Sequence, residues 1–348
     1  MAFQRFNRSN DVVENQRTTI SSGLWSGGDA ELTSFFTQST NGSQTGSFLE
    51  LYNEDPNLSS SAEVQFAVGY AHVEGSGSAG TVTKVTSGER QTAALYSQFR
   101  NVLLAPNTDK FEFTASPTSS GDKDFYFVSF QRARQREKID PGNWELKLSG
   151  ELPVVLKDDK ISLIDDSGAN TNPTVNQGGR VFNVVSGSIS TGKATTKIIA
   201  TSQPGGGLGL FYPDLGLILL NAIKTELTGG LRPLNDRSAT NFASRSEAFY
   251  NAIRSGSSFT ARREEEISST NYFVRANNKN FNFSSNPTYA TQSDGSLTQA
   301  TFFKDPKTFI TQVGLYNDDN ELLAIAKLSK PILKSYSREA IIKVKLDF

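Results

Sequence analysis

The chain has 348 residues, enough for two or three domains or for one large β-rich domain. Its 35 basic and 36 acidic side chains give a net charge of −1, which argues against a broad nucleic-acid-binding surface. It has no cysteine and one histidine, which excludes disulfide frameworks, thiolate nucleophiles and metal centres that need cysteine or several histidines.

The amino terminus carries arginines without a following apolar run of signal-peptide length, and no stretch of about 20 apolar residues occurs. We therefore expect no signal peptide and no membrane partner. The chain contains 24 phenylalanines and 10 tyrosines although only 36% of its residues are hydrophobic. This composition predicts an ordered, strand-rich protein with a polar surface.

Residues 1–130 contain four predicted elements. Residues 1–30 resemble an extended arm or short strand, and residues 63–73 alternate apolar and polar positions, as in a half-buried strand. Residues 92–104 form a helical pattern with Thr92 as its cap. Residues 124–130 are apolar on both faces and predict an interior strand, after which a charged stretch leaves the sheet.

Further strands and one helix are predicted between residues 154 and 254. Apolar runs flank a turn at 157–160, and glycine follows a helical pattern that ends at Arg254. The predicted strands cover 154–156, 161–164, 181–185, 197–200, 210–212 and 215–220, and the helix covers 241–254.

The carboxy-terminal stretch has the clearest pattern. Residues 309–316 and 321–328 predict two strands joined by a four-residue turn. Pro331 is expected to separate this hairpin from a final strand at 338–348, in which apolar and charged residues alternate. A strand at the end of the chain must be paired to be stable, so we expect it to be part of the architecture.

Together these patterns predict a mainly β, α+β protein of antiparallel, sandwich-like sheets with a few covering helices. We expect an arm at 1–30, a β-rich domain with one helix at 31–168, and a polar linker. A second β-rich domain at 181–348 would then contain one helix, the hairpin and the final strand.

The sequence makes no case for an enzyme, a cofactor or a metal site. His72 lies on a predicted strand and is interpreted as locally satisfied, because no motif supplies it with catalytic partners. The glycine-rich segment 203–209 lacks the lysine and following helix of a phosphate-binding loop. The acidic pairs at 165–166 and 318–319 lack the ligand spacing of a calcium loop and are interpreted as turns.

Two charged rows and two aromatic residues are the candidate interface residues. Three arginines alternate after the interior strand and could form a ladder for phosphate or carboxylate, a solvated row or a row facing another subunit. An acidic run could instead pair with them, within the chain or between subunits. The candidates are Arg132, Arg134, Arg136, Trp144, Glu264, Glu265, Glu266 and the terminal Phe348.

Three separated segments, about a third of the chain, resemble structural proteins of contractile-tailed bacteriophages. They are residues 130–146, residues 272–275 (Tyr-Phe-Val-Arg) together with 281–288 (Phe-Asn-Phe-Ser-Ser-Asn-Pro-Thr), and residues 313–328. They look like the dimeric, β-rich subunit of the tail baseplate wedge. The last segment also resembles hairpins of tail-fibre and fibre-attachment proteins.

The resemblance implies a non-enzymatic virion protein, assembled in the host cytoplasm, that binds other wedge subunits, a second copy of itself and tail-fibre proteins. It implies no catalytic residues, and a role in baseplate rearrangement at infection is part of the same expectation. Two alternatives stay open: a fibre-attachment or neck adaptor, and a glycan-binding or glycan-cleaving protein of the virion surface.

Overall fold

The structure is a computed structural model that describes residues 4–37, 48–77, 90–113, 122–150, 161–168, 173–189, 208–222, 225, 242–291 and 293–348. Antiparallel strands dominate and helices are few, which confirms the predicted fold class. The strands are β1 (Val12–Gly23), β2 (Glu31–Leu32), β3 (Phe36–Thr37), β4 (Leu49–Tyr52), β5 (Val64–His72), β6 (Asp124–Phe130), β7 (Lys138–Leu148), β8 (Ile161–Asp165), β9 (Thr174–Asn176), β10 (Gly179–Ser186), β11 (Gly209–Tyr212), β12 (Leu217–Asn221), β13 (Phe259–Ala276), β14 (Thr308–Tyr316), β15 (Leu322–Lys334) and β16 (Ala340–Asp347). The helices are α1 (Arg8–Asp11), α2 (Gln91–Leu103), α3 (Arg132–Gln135), α4 (Phe242–Gly256) and α5 (Thr301–Lys304).

The chain folds into two compact units. The core unit is Ile20–Glu265, and the terminal unit combines Met1–Thr19 with Glu266–Phe348. This division differs from the predicted domains at 31–168 and 181–348, because strands β10, β11 and β12 belong to the same sheet as β5 and β6. The strands β1 and β13 contribute residues to both units.

In the core unit, ten strands follow the order β13-β7-β8-β10-β11-β12-β6-β5-β4-β3. Successive residues of β6 point to opposite faces of this sheet. Phe127 packs against Phe99 of α2, with ring centroids 4.9 Å apart, and Tyr126 packs against Phe249 of α4 at 5.0 Å. The two helices therefore cover opposite faces of the sheet.

The strand predicted at 63–73 is confirmed, but it is not half-buried. Phe66, Val68 and Tyr70 belong to one apolar cluster, and Ala71 belongs to the cluster on the other face. Even the polar Gln65 is fully buried, and its side chain forms hydrogen bonds with Ser26.

The glycine that was predicted to end α4 is present at Gly256, where a larger residue would not fit. A Cβ at Gly256 would collide with the backbone carbonyl of Lys147 in β7. The next residue, Ser257, has a φ of 63°, so the chain turns through the left-handed region directly after the helix.

The terminal unit contains a small sandwich. β16 pairs with β13 over eight residues without a register shift, and β14 pairs with β15 to form a separate two-stranded sheet. Val313 and Leu315 of the hairpin pack against Ile342 and Val344 of β16. The predicted hairpin and final strand are therefore both confirmed.

Two local predictions are wrong. Thr92 does not cap α2: Arg90 is the residue before the helix, and the Thr92 hydroxyl donates to the carbonyl of Ser76. Pro331 does not end the hairpin, since β15 continues through it to Lys334 on an exposed, irregularly paired stretch where a proline needs no partner. The predicted elements at 154–160 and 197–200 and most of the glycine-rich turn lie outside the described residues.

Candidate interaction surface

The arginine row does not form a ladder. Residues Arg132–Gln135 make a single helical turn, and Arg136 follows with a φ of 57°. Since each helical residue rotates the side chain by about 100°, the alternating positions do not share a face. Arg132 is exposed, Arg134 pairs with Glu63, and Arg136 pairs with Glu265.

The acidic run is also engaged within the chain. Glu264 lies 3.4 Å from Lys138, and Glu265 accepts from Arg136 and lies 3.0 Å from Arg263. Glu266, in the terminal unit, pairs with Arg17 at 3.3 Å. The predicted pairing of the two rows within one chain is therefore seen for Arg136 with Glu265 and for Lys138 with Glu264, whereas Arg134 and Glu266 pair with side chains outside the rows.

Trp144 is not a surface residue. Its side chain is fully buried in β7, and its ring centroid is 5.3 Å from that of Phe211. Trp144 packs in the core, so its prediction as an interface residue is wrong. Phe348 is 76% exposed, while its backbone N–H donates to the carbonyl of Ser268.

His72 is buried and satisfied locally, as predicted. Its Nδ1 accepts from the backbone N–H groups of Glu74 at 3.0 Å and Ser76 at 3.4 Å. Burial is the main reason that its pKa lies below the usual value, and the nearby charges of Asp124 and Arg245 act in opposite directions. The ring is therefore neutral and holds a turn.

The described residues were found to contain neither a cluster of metal-ligating side chains nor a helix suited to crossing a membrane. Within the described ranges, no three histidine, aspartate or glutamate side chains lie close enough together to hold a metal ion. No helix in the part of the chain that the structure describes has both the length and the apolar character to cross a membrane.

The outer face of the C-terminal hairpin is apolar and exposed. Along β15, the inward residues Ala324 and Ala326 pack on the sandwich core, so Leu323 and Ile325 point outward. Leu323 is 69% exposed and Ile325 53% exposed. Large apolar side chains in this arrangement are typical of a protein–protein interface.

A glycine shapes this face. Gly314 lies opposite Ile325, and a Cβ there would come within 2.9 Å of the Tyr316 ring and 3.3 Å of Leu322 Cδ1. Both side chains therefore extend over the glycine and enlarge the apolar surface. We call Gly314, Tyr316, Leu322, Leu323 and Ile325 the hairpin patch.

Charges of opposite sign lie at the two ends of the hairpin patch. The connecting turn contains Asp318, Asp319 and Glu321, and the Glu321 backbone N–H donates to the Asn317 side chain. Lys327 lies on the same face as Leu323, four residues along the strand, which corresponds to about 13 Å. The patch thus runs from an acidic end to a basic end.

Sequence reasoning missed this surface, although a signal for it was present. Residues 322–326, Leu-Leu-Ala-Ile-Ala, are five consecutive apolar positions in a strand. A strand with one buried face needs only every second position apolar. The outer face of β15 therefore carries more apolar residues than a strand with one buried face requires.

Comparisons with known proteins add no identification. No family model, no curated protein and no solved structure matches the chain.

Proposed function

We propose that this chain is a structural subunit of a phage tail baseplate wedge, which holds neighbouring subunits together and takes part in the rearrangement of the baseplate at infection. The observation that carries the proposal is the exposed hairpin patch. It lies within residues 313–328, one of the three segments that resemble baseplate proteins. Assembly subunits bury apolar surface of this kind against their partners.

A second copy of the chain is the first proposed partner. The twofold axis would lie in the plane of the contact and cross β15 at a right angle in the middle of the hairpin patch. It would place apolar side chains against apolar side chains. It would also set the acidic turn of one copy, with Asp318 and Asp319, beside Lys327 of the other. The charge pattern along the patch is therefore complementary to itself.

Charge exchange tests this dimer. The variant Lys327→Glu and the variant Asp318→Lys/Asp319→Lys should each lose self-association in sedimentation velocity, because like charges would meet at both ends of the patch. An equimolar mixture of the two variants should associate again, since each copy then offers the charges that the other lacks. Variants that associate as well as the unaltered chain would contradict the proposed dimer.

Assembly in a virion tests the wider proposal. A contractile-tailed phage that lacks this gene should form incomplete baseplates, as judged by electron microscopy, and the unaltered chain supplied in trans should restore them. Leu323→Glu/Ile325→Glu should fail to restore them. Val175→Glu is the matched control, because Val175 is 72% exposed in the core unit and lies outside the patch. Complete tails without the chain would exclude the role.

A fibre-attachment or adaptor role is the second candidate. It is favoured by one observation: residues 313–328 also resemble hairpins of tail-fibre and fibre-attachment proteins. In that role the hairpin patch would contact a tail-fibre protein instead of a wedge subunit. Antibody labelling of intact tails separates the two, since a label at the fibre base or neck would favour the adaptor.

A further inference from the structure

The final strand β16 has one hydrogen-bonded edge and one open edge. It pairs with β13, and within the described ranges no other strand pairs with its opposite edge. The backbone N–H of Phe348 donates to Ser268, which continues the ladder beyond the strand. In an antiparallel ladder the residues that bond to the neighbour alternate with residues that face away.

This alternation identifies the open backbone groups. Because Phe348 bonds to β13, so do the even-numbered residues of the strand, and the N–H and C=O groups of Ile341, Lys343 and Lys345 face the open edge. The edge strand has no bulge, since the pairing of β16 with β13 has no register shift. The edge strand β1, in contrast, contains Asn15 with a φ of 59°, which interrupts its extended conformation.

The side chains beside the open edge define what could pair with it. Ile342 and Val344 face the sandwich core, so an added strand needs apolar residues opposite them. Lys343 and Lys345 are exposed on the other face, so the residues opposite them should be acidic. Lys345 already contacts Asp347 at 2.9 Å, which leaves Lys343 as the stronger determinant.

We infer that β16 accepts an extended segment of another protein, in which apolar and acidic residues alternate, as an additional strand of the sheet. Pairing with a second copy of β16 over most of its length is disfavoured, because antiparallel registers centred on Lys343, Val344 or Lys345 would each place lysine directly opposite lysine. Lysines on an open edge also oppose non-specific pairing, so the edge favours partner strands that carry acidic residues. The inference concerns a surface other than the hairpin patch and stands without the proposed function.

A labelled peptide tests the inference with the full-length chain. Fluorescence anisotropy should show binding of Thr-Val-Glu-Val-Glu-Val-Thr and much weaker binding of Thr-Val-Lys-Val-Lys-Val-Thr. The variant Lys343→Glu/Lys345→Glu should reverse this preference, with affinity for the acidic peptide about tenfold lower. Binding of the lysine peptide by this variant also shows that the variant is folded.

Two further measurements separate edge pairing from general charge attraction. The control Lys304→Glu/Lys330→Glu carries the same charge change at exposed positions outside both β16 and the hairpin patch, and it should bind the acidic peptide like the unaltered chain. Bound acidic peptide should slow hydrogen exchange at the amides of Ile341, Lys343 and Lys345. Equal loss of binding in both variants, or unchanged exchange at these amides, would overturn the inference.

Discussion

Arg136 Nη1 donates to both carboxylate oxygens of Glu265, over 3.0 and 3.2 Å. Glu265 also lies 3.0 Å from Arg263, whose side chain is mostly buried. One carboxylate thus joins the segment after β6 to β13 within the core unit. Arg136 and Glu265 are therefore held together within the fold of the core unit.

Replacing Glu265 should reduce stability modestly. Glu265→Gln removes the charge that two guanidinium groups share, and we expect a loss of about 1 kcal/mol in the free energy of unfolding, because Arg136 is exposed and Glu265 itself is partly exposed to solvent. Urea denaturation measures the change. The matched control is Arg132→Gln, in the same segment, which alters an exposed side chain and should change the free energy by less than about 0.5 kcal/mol.

The dependence on salt gives a further check on Glu265. Added salt screens partly exposed ion pairs, so the difference between the unaltered chain and Glu265→Gln should shrink between low and high salt. A difference that does not change with salt would mean that Glu265 acts through packing rather than charge.

Removing the indole of Trp144 should be much more costly. Trp144→Ala would leave a cavity beside Phe211, and substitutions of this type cost about 3–5 kcal/mol. Trp144→Phe retains most of the packing, and because the indole Nε1 has no acceptor among the described residues it loses no hydrogen bond there. Urea denaturation should therefore rank the alanine variant well below the phenylalanine variant. Two variants of equal stability would contradict the packing role.

Local sequence patterns predicted the strands themselves more accurately than they predicted how far each strand is buried. The alternation at 340–347 and the double-sided apolar pattern at 124–130 define strands that the structure confirms. The pattern at 63–73 could not show that helices α2 and α4 cover both faces of the sheet, since those contacts join residues far apart in the chain. Because every second position in this segment is small or polar, the pattern predicted a strand with one exposed face.

The candidate site was predicted less well for a related reason. Charge runs are visible in a sequence, whereas their partners are not. Arg136 and Glu265 are 129 positions apart, and only the pairing of β7 with β13 brings them together. The hairpin patch depends on which face of β15 meets the core, and this is fixed by Val313 and Leu315 packing on β16.

Stability should depend on pH through His72. In the folded chain its pKa is lower than the usual value of about 6.5, mainly because the ring is buried. As the pH falls through 6.5, the unfolded chain binds a proton that the folded chain does not yet bind, so the free energy of unfolding decreases. Above this pH the contribution is fully present.

Denaturation at pH 7.5 and pH 5.5 tests this effect of His72. The chain has no other histidine, so His72→Gln should flatten the decrease between the two values. If the variant and the unaltered chain lose the same free energy over this interval, another group causes the pH dependence.

The buried Lys334 should hold residues 278–282 against the end of β15. Its Nζ donates to the carbonyls of Asn278 and Ser335 and to Asn282 Oδ1, each at 3.0 Å. Lys334→Met removes all three donors and leaves their acceptors to be satisfied by water, at a cost of about 1–3 kcal/mol. Hydrogen exchange in residues 278–282 should accelerate in this variant. Lys330→Met, an exposed position of the same strand, should leave the exchange unchanged, and equal acceleration in both variants would show that Lys334 has no specific role.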